Sequence, residues 1–240
     1  MYKLIAQMIG RNEEHRFIRD VLQHLIPQVD MIVYTDDASQ DNTPEVFREA
    51  GAHVYCNKDP LFNIHEGQLR QCAWHNLSKH ADVGDWILAI DCDEKLYSTD
   101  PSQSIPVLLE RTRFHAIAVM FYHMWNPDQY RADKGWAPAP QARIFRFVDG
   151  CPFSDNALGC GSGPAYVRYC ELTEKMQQNT GLVMQHFGYI HEQDRRAKYD
   201  RYMELDQGRY HELSHIKSIL DPDPELFDWK TVCQPPVNMS

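Results

Sequence analysis

The chain has 240 residues, of which 43% are hydrophobic, 24% charged and 11% aromatic. A chain of that length buries roughly 70–75% of its unfolded surface without staples, and this composition excludes a disordered chain, a collagen-like repeat and a small disulfide scaffold. Lys and Arg total 24 against 34 Asp and Glu, a formal charge of −10, which disfavours attraction to nucleic acid as a whole.

The first hundred residues alternate strand and helix signals. Tyr2 to Ile9 reads as a strand, and a helical pattern opens at Asn12-Glu13-Glu14 with Phe17, Ile18, Val21, Leu22 and Leu25 on one face. Pro27 stops it. Met31 to Thr35 is a β-branched run ending in Asp36-Asp37. Thr43 suits an N-cap with Pro44 at the first helical position, and that helix ends near Gly51. Ala52 to Cys56 is a third strand. A helix follows over residues 65–81, with Leu69, Cys72, Ala73 and Leu77 at helical spacing. Trp86 to Ile90 is a fully apolar strand running into Asp91. Apolar strands separated by helices require a sheet covered on both faces. Ligands of such sheets sit beyond the carboxyl ends of the strands, where this chain carries Asn12-Glu13-Glu14, Asp36-Asp37 and Asp91-Cys92-Asp93-Glu94.

The second half reads differently. Phe114 to Trp125 and Ala142 to Val148 are longer strands joined by a loop that holds Asp128, Asp133 and Trp136. Residues 149–164 form an irregular loop with Gly150, Gly159, Gly161 and Gly163. Gly181 to Tyr189 is a strand with His186 near its end, and His191 follows. Asp194 to Leu220 reads as a polar amphipathic helix with a break at Gly208. Its basic residues are nearly cancelled by acids, so a solvated, salt-bridged face is expected there. The tail, with Pro222, Pro224, Pro235 and Pro236, is expected to be extended. No repeat or flexible linker interrupts the chain, so one domain over 1–240 is expected, with halves at 1–96 and 97–240. The seven Cys are odd in number and form no CxxC pair. Reduced thiols, no apolar run of membrane-span length and no signal-peptide core point to the cytoplasm.

Asp91 and Asp93, at i and i+2 past a buried strand, can share a hard divalent cation that a phosphate pair completes. Asp221-Pro222-Asp223 matches the same spacing but follows no apolar strand. On the plainer view, these acids end a strand and cap the next turn. Asp36-Asp37 can accept hydrogen bonds from a ribose or a base, or can lead a polar turn, supported by Asp41, into the Thr43 cap.

Taken together, Ile9-Gly10-Arg11-Asn12-Glu13-Glu14, then DDASQDNT at 36–43, then IDCDE at 90–94 resemble a family 2 glycosyltransferase with a GT-A fold. The resemblance covers residues 1 to about 96. It implies an α/β/α sandwich with a mostly parallel nucleotide-binding sheet and a mixed acceptor-side half. It also implies a nucleotide-sugar donor, a UDP-sugar first, and a manganese or magnesium ion. Asn12, Glu14, Asp36 and Asp37 would then lie at the nucleotide, with Asp91 at the ribose or, through water, at the metal. Asp93 would ligate the metal, with His186 as a further ligand and His191 as its substitute. Arg70 could reach the nucleotide or diphosphate, as could Arg195, Arg196 and Lys198. Inverting transfer would need a carboxylate base, Asp155 first and Asp133 second. Trp125 and Trp136 could stack on sugars or anchor a core. A haloacid-dehalogenase-type phosphatase shares only Asp91 and Asp93 and is disfavoured by Lys95. A nucleotidyltransferase would use the same kind of metal site, and a degenerate transferase would keep the fold as a non-catalytic binding module. The acceptor hydroxyl could belong to a saccharide, a lipid-linked sugar, a protein or a modified base.

Overall fold

The computed structural model describes residues 2–100, 104–156, 158–173 and 175–232. In chain order, β1 (Leu4–Gly10) leads through a turn to α1 (Ile18–Leu25), β2 (Met31–Asp36), α2 (Thr43–Glu49), β3 (His53–Cys56), α3 (Glu66–Leu77) and β4 (Trp86–Ala89). Then come β5 (Glu94–Ser98), α4 (Ile105–Arg111), β6 (Ala116–His123), β7 (Gln129–Arg131) and β8 (Ala139–Arg146). The chain continues with α5 (Ala165–Leu172), β9 (Leu182–His186), α6 (Glu192–Leu205), α7 (Leu213–Ser218) and β10 (Leu226–Asp228).

Eight strands form one sheet in the order β3-β2-β1-β4-β8-β6-β9-β5. Its first four strands are parallel: Ile5 lies opposite Met31 on one side and Ile87 on the other, and Val33 lies opposite His53. The rest is mixed. β8 runs antiparallel to β4 and β6, β6 is parallel to β9, and β9 is antiparallel to β5. A small second sheet pairs β10 with β7. Alternation along the buried strands serves both faces. Ala6, Met8, Ile32, Tyr34 and Leu88 pack with Ile18, Val21, Leu22 and Leu25 of α1 and Phe47 of α2. Ile5, Val33, Ile87 and Ala89 pack with Trp74 and Leu77 of α3. Each fully buried large apolar side chain contributes about 1.5–3 kcal/mol relative to exposure, so the α/β/α layering follows from the apolar strands.

The structure departs from the sequence-based expectations at specific places. The first helix starts at Ile18 rather than Asn12. The Asn12, Glu13 and Glu14 amides are taken by the side chains of Ser39, Thr43 and Asp41, and Asn12 turns to φ 57°, a left-handed conformation that no right-handed helix continues through. β5, α4 and α5 form where no clear periodicity announces them. β5 begins inside the acidic cluster and buries the charged Glu94, which hides its strand signal. The long polar helix is two helices, separated where Gln207 and Gly208 have φ of 52° and 85°. Part of the tail pairs as β10; Cys233, Pro235 and Pro236 lie outside the described residues. The six described cysteines are free thiols. No helix among the described residues is long and apolar enough to cross a membrane.

Candidate functional site

A cleft of about 690 Å³ opens at the carboxyl ends of β1 and β4. The β4–β5 turn brings Asp91, Asp93 and Glu94 to it, and the turn after β1 brings Arg11, Glu13 and Arg16. The mixed half completes the wall. Antiparallel pairing sets Glu94 of β5 opposite His186 of β9, and parallel pairing sets His123 of β6 beside His186. Residues far apart in the chain thereby meet: the amide of Phe187 donates to the Asp93 carbonyl at 2.8 Å, and His186 Nε2 stands 3.4 Å from Asp93 Oδ2.

Ligand atoms of Asp93, Glu94 and His186 lie within 4.8 Å of one another. Glu94 is already committed. Its Oε1 accepts from Arg143 at 2.7 Å and its Oε2 from the Asp91 amide at 2.9 Å. Burial pushes the Glu94 carboxyl up and Asp91 and Asp93 add to this, against Arg143. Asp93 and His186 are the better pair for a hard-to-borderline cation. A Cβ on Gly188 would stand 2.6 Å from Asp93 Oδ2, 2.7 Å from His186 Nε2 and 2.5 Å from Lys198 Nζ. Glycine at 188 therefore keeps open the space that both ligand atoms face, and oxygen plus imidazole suits a divalent first-row metal ion.

Protonation agrees with this assignment. Burial would raise Asp93, but His186, Lys198 and Arg16 outweigh it and hold the carboxyl well below its usual range. Burial lowers His186 against the pull of Asp93, and it lowers His123 further. Neutral imidazole is the form that binds metal. The two imidazoles meet Nδ1 to Nδ1 at 2.9 Å, so one must donate to the other. With a cation in place of the Nε2 proton, a proton on His186 Nδ1 would leave the Nε2 lone pair for the metal and make His123 the group that fixes the ring. Beside them, Arg16 pairs with Asp194 at 3.1 Å and with Glu13 at 3.5 Å. Burial lifts Glu13 to about 7, opposed by Arg16. Glu13 Oε2, Arg11 Nε and Arg143 Nε are buried without hydrogen-bond partners, and all three residues line the cleft.

The other expected residues are distributed unevenly. Asp91 and Arg70 line the cleft. Asp91 is 4.0 Å from Arg143, and Arg70 is locked to Glu66 at 2.8 Å. Asp37 also reaches the cleft, but its carboxylate accepts from the Leu61 and Phe62 amides at 2.8 and 3.0 Å and so shapes the adjacent loop. Asp36 is buried, and its carboxylate accepts from the hydroxyls of Tyr34 and Ser39. Asn12 and Glu14 clamp the Gln40 and Asn42 amides. None of these last three lines the cleft. Nor do the two acids expected as bases: Asp133 is bonded to the buried Arg131, and Asp155 sits on the surface 3.3 Å from His65. His191 stacks on Phe17, and Arg195 caps the carbonyls of Tyr189 and Ile190. Trp125 and Trp136 form a small core with Tyr189 and Ile219. Sequence reasoning missed Arg16, His123 and Arg143; strand pairing that no local pattern announces brings His123 and Arg143 to the cleft, and the turn after β1 brings Arg16.

No protein-family model and no curated protein matches the chain. Solved structures do. A mannosyltransferase of Pyrobaculum calidifontis in complex with GDP-Man and Mn2+ is 13% identical, with 93% of this chain and 66% of that one aligned and a TM-score of 0.55. TarS of S. aureus in complex with UDP is 14% identical over 91% of this chain and 69% of that chain, TM-score 0.49. Glucosyl-3-phosphoglycerate synthase of Mycobacterium tuberculosis with Mn2+ and UDP-glucose is 20% identical over 51% and 44%, TM-score 0.35. The chain spans about two thirds of the first two proteins and under half of the third. Its fold is that of the GT-A glycosyltransferases.

Proposed function

We propose that this chain is a cation-dependent glycosyltransferase that moves a sugar from a UDP- or GDP-sugar to an acceptor hydroxyl, with inversion. The observation that carries the reading is the meeting of Asp93 and His186 across the β5–β9 pair, with Gly188 leaving room between them. It lies at the strand ends of a fold shared with a mannosyltransferase solved with GDP-Man and Mn2+.

Asp93 and His186 would hold the cation, which when bound neutralises charge on the leaving diphosphate. His123 orients His186, and Arg143 holds Glu94 and with it the turn that carries Asp91. Lys198, Arg16 and Arg11 supply positive charge for the phosphates. The loop after β3, pinned by Asp37, walls the nucleotide side. One domain and a cytoplasmic setting, suggested by the free thiols, complete the reading. The test is thermal stability with UDP, GDP, CDP and dTDP, each with and without manganese. A manganese-dependent rise with one nucleotide, about 2.7 kcal/mol at a hundredfold excess over Kd, is expected in the wild type and absent in Asp93→Ala. A folded protein that responds to none of them sinks the reading.

A further inference from the structure

The proposed transfer needs a group to take the acceptor's proton, and most of the cleft's carboxylates are engaged. Asp37 holds two amides. Glu66 accepts from Arg70 and from the Gly159 amide. Glu94 holds Arg143, while Glu13 and Asp194 share Arg16. Asp93 serves the cation in the reading above, and Asp91 stands 4.0 Å from Arg143.

On the opposite wall, the loop between α6 and α7 carries His211. Its Nδ1 lies 2.5 Å from Asp206 Oδ2. Asp206 is fully buried, and its carboxylate also accepts from the Tyr210 and His211 amides at 2.7 and 3.0 Å. Burial alone would raise Asp206, but these three donors outweigh it and keep it ionised. An acceptor-only carboxylate requires Nδ1 to carry the proton, which leaves the Nε2 lone pair free. Nε2 has no hydrogen-bond partner among the described residues, and the side chain is 39% exposed and lines the cleft. It shares the cleft with the cation pair, from which four ring contacts separate it: His211 to His215 at 6.3 Å, His215 to Trp136 at 4.6 Å, Trp136 to His123 at 5.3 Å and His123 to His186 at 5.1 Å. The loop is built for this placement, since Gly208, at φ 85°, turns the chain so that Asp206 can reach His211.

We infer that His211, held by Asp206, is the general base of the transfer. This rests on the transferase reading above. The acceptor hydroxyl gives its proton to His211 Nε2 while its oxygen bonds to the anomeric carbon. The bond from that carbon to the phosphate oxygen breaks, and the nucleoside diphosphate leaves with the electron pair. The imidazolium then releases its proton to water. His211 is the catalytic residue in this scheme and Asp206 a positioning residue, an arrangement that fixes both tautomer and ring direction.

The test uses water as the acceptor. Manganese-dependent hydrolysis of UDP-glucose, UDP-N-acetylglucosamine and GDP-mannose is measured for the wild type, His211→Ala and Asp206→Asn, alongside UDP and GDP affinity. His211→Ala should lower kcat on the order of 100-fold or more, leave nucleotide affinity within about twofold, and recover with added imidazole. Asp206→Asn should lower kcat with KM unchanged. Unchanged turnover in His211→Ala overturns the inference. So does lost turnover that imidazole does not restore, or lost turnover in Asp155→Asn with none in His211→Ala. A wild type that binds a nucleotide with manganese yet hydrolyses no donor overturns this assignment alone, and one that neither hydrolyses any donor nor responds to any nucleotide overturns the transferase reading with it.

Discussion

Two polar corners, at the ends of the strands that flank β1, look alike in sequence and behave differently in the fold. At the end of β2, Asp36, Asp41, Asn12 and Glu14 satisfy one another's surroundings. Asp36 takes Ser39, Asp41 takes Thr43, Asn12 takes Gln40 and Glu14 takes Asn42. At the end of β4, Asp93 faces an imidazole and two cations that arrive from distant parts of the chain, and orphaned polar atoms of Glu13, Arg11 and Arg143 belong to residues lining the same cleft. Local partners close the first corner and make it a clamp. The second corner has charges gathered from several elements and unused hydrogen-bonding capacity, which is how a binding site differs from a turn.

Substitutions can break that contrast. The largest effect is expected at Asp93. Asp93→Ala should weaken manganese-supported nucleotide binding at least about 100-fold, or about 2.7 kcal/mol, in a protein whose circular dichroism is unchanged; calorimetric titration measures it. Retained binding would make the β4 corner a turn like the other.

Glu13 offers a pH signature of nearly the same size. Its carboxyl is raised from 4.5 to about 7 by burial, so ionising it costs the folded state stability progressively between those values. That cost reaches up to about 3 kcal/mol above pH 7. Denaturation of metal-free Glu13→Gln should show a gain over wild type at pH 8 and none at pH 4. Asp93 has the opposite sign. Its carboxyl is depressed, so its pairing with His186 and Lys198 stabilises the protein above about pH 4 and is lost as acid protonates it. A Glu13→Gln gain that is the same at both pH values would show that packing, not ionisation, is responsible.

His123 tests the support behind the metal ligand. His123→Phe keeps ring volume but removes the Nδ1 contact with His186. Manganese affinity should fall about 10–100-fold, read by titrating the thermal shift with metal. The smallest effect belongs to the clamp. Asp41→Ala removes acceptors for the Thr43 amide and hydroxyl and the Glu14 amide. Urea denaturation should report a loss of about 1–2 kcal/mol with an unaltered manganese-dependent shift. A loss of nucleotide binding there would join the two corners into one site.

Part of this contrast is legible in the residues themselves. The apolar runs at Leu4–Ile9, Met31–Thr35 and Trp86–Ile90 require a doubly covered sheet, because strands without a polar face cannot meet water. The acids at 91 and 93 mark a strand end by the same logic, and His186 stands out because it follows an apolar run. Other features are not legible. Which strand-end acids are clamps depends on whether Ser39, Thr43 and Asn42 fold back on them. That His123 reaches His186, and that Arg143 reaches Glu94, depends on a sheet order of β8-β6-β9-β5 that periodicity cannot supply. Local sequence by itself determined that the apolar runs of the first half are strands covered on both faces, because that follows from a residue's own side chain and its near neighbours. Tertiary structure alone decided which charges share a cleft and which imidazole nitrogen stays free. Those outcomes depend on contacts between residues as far apart as Asp93 and His186, and on the desolvation that their shared burial imposes.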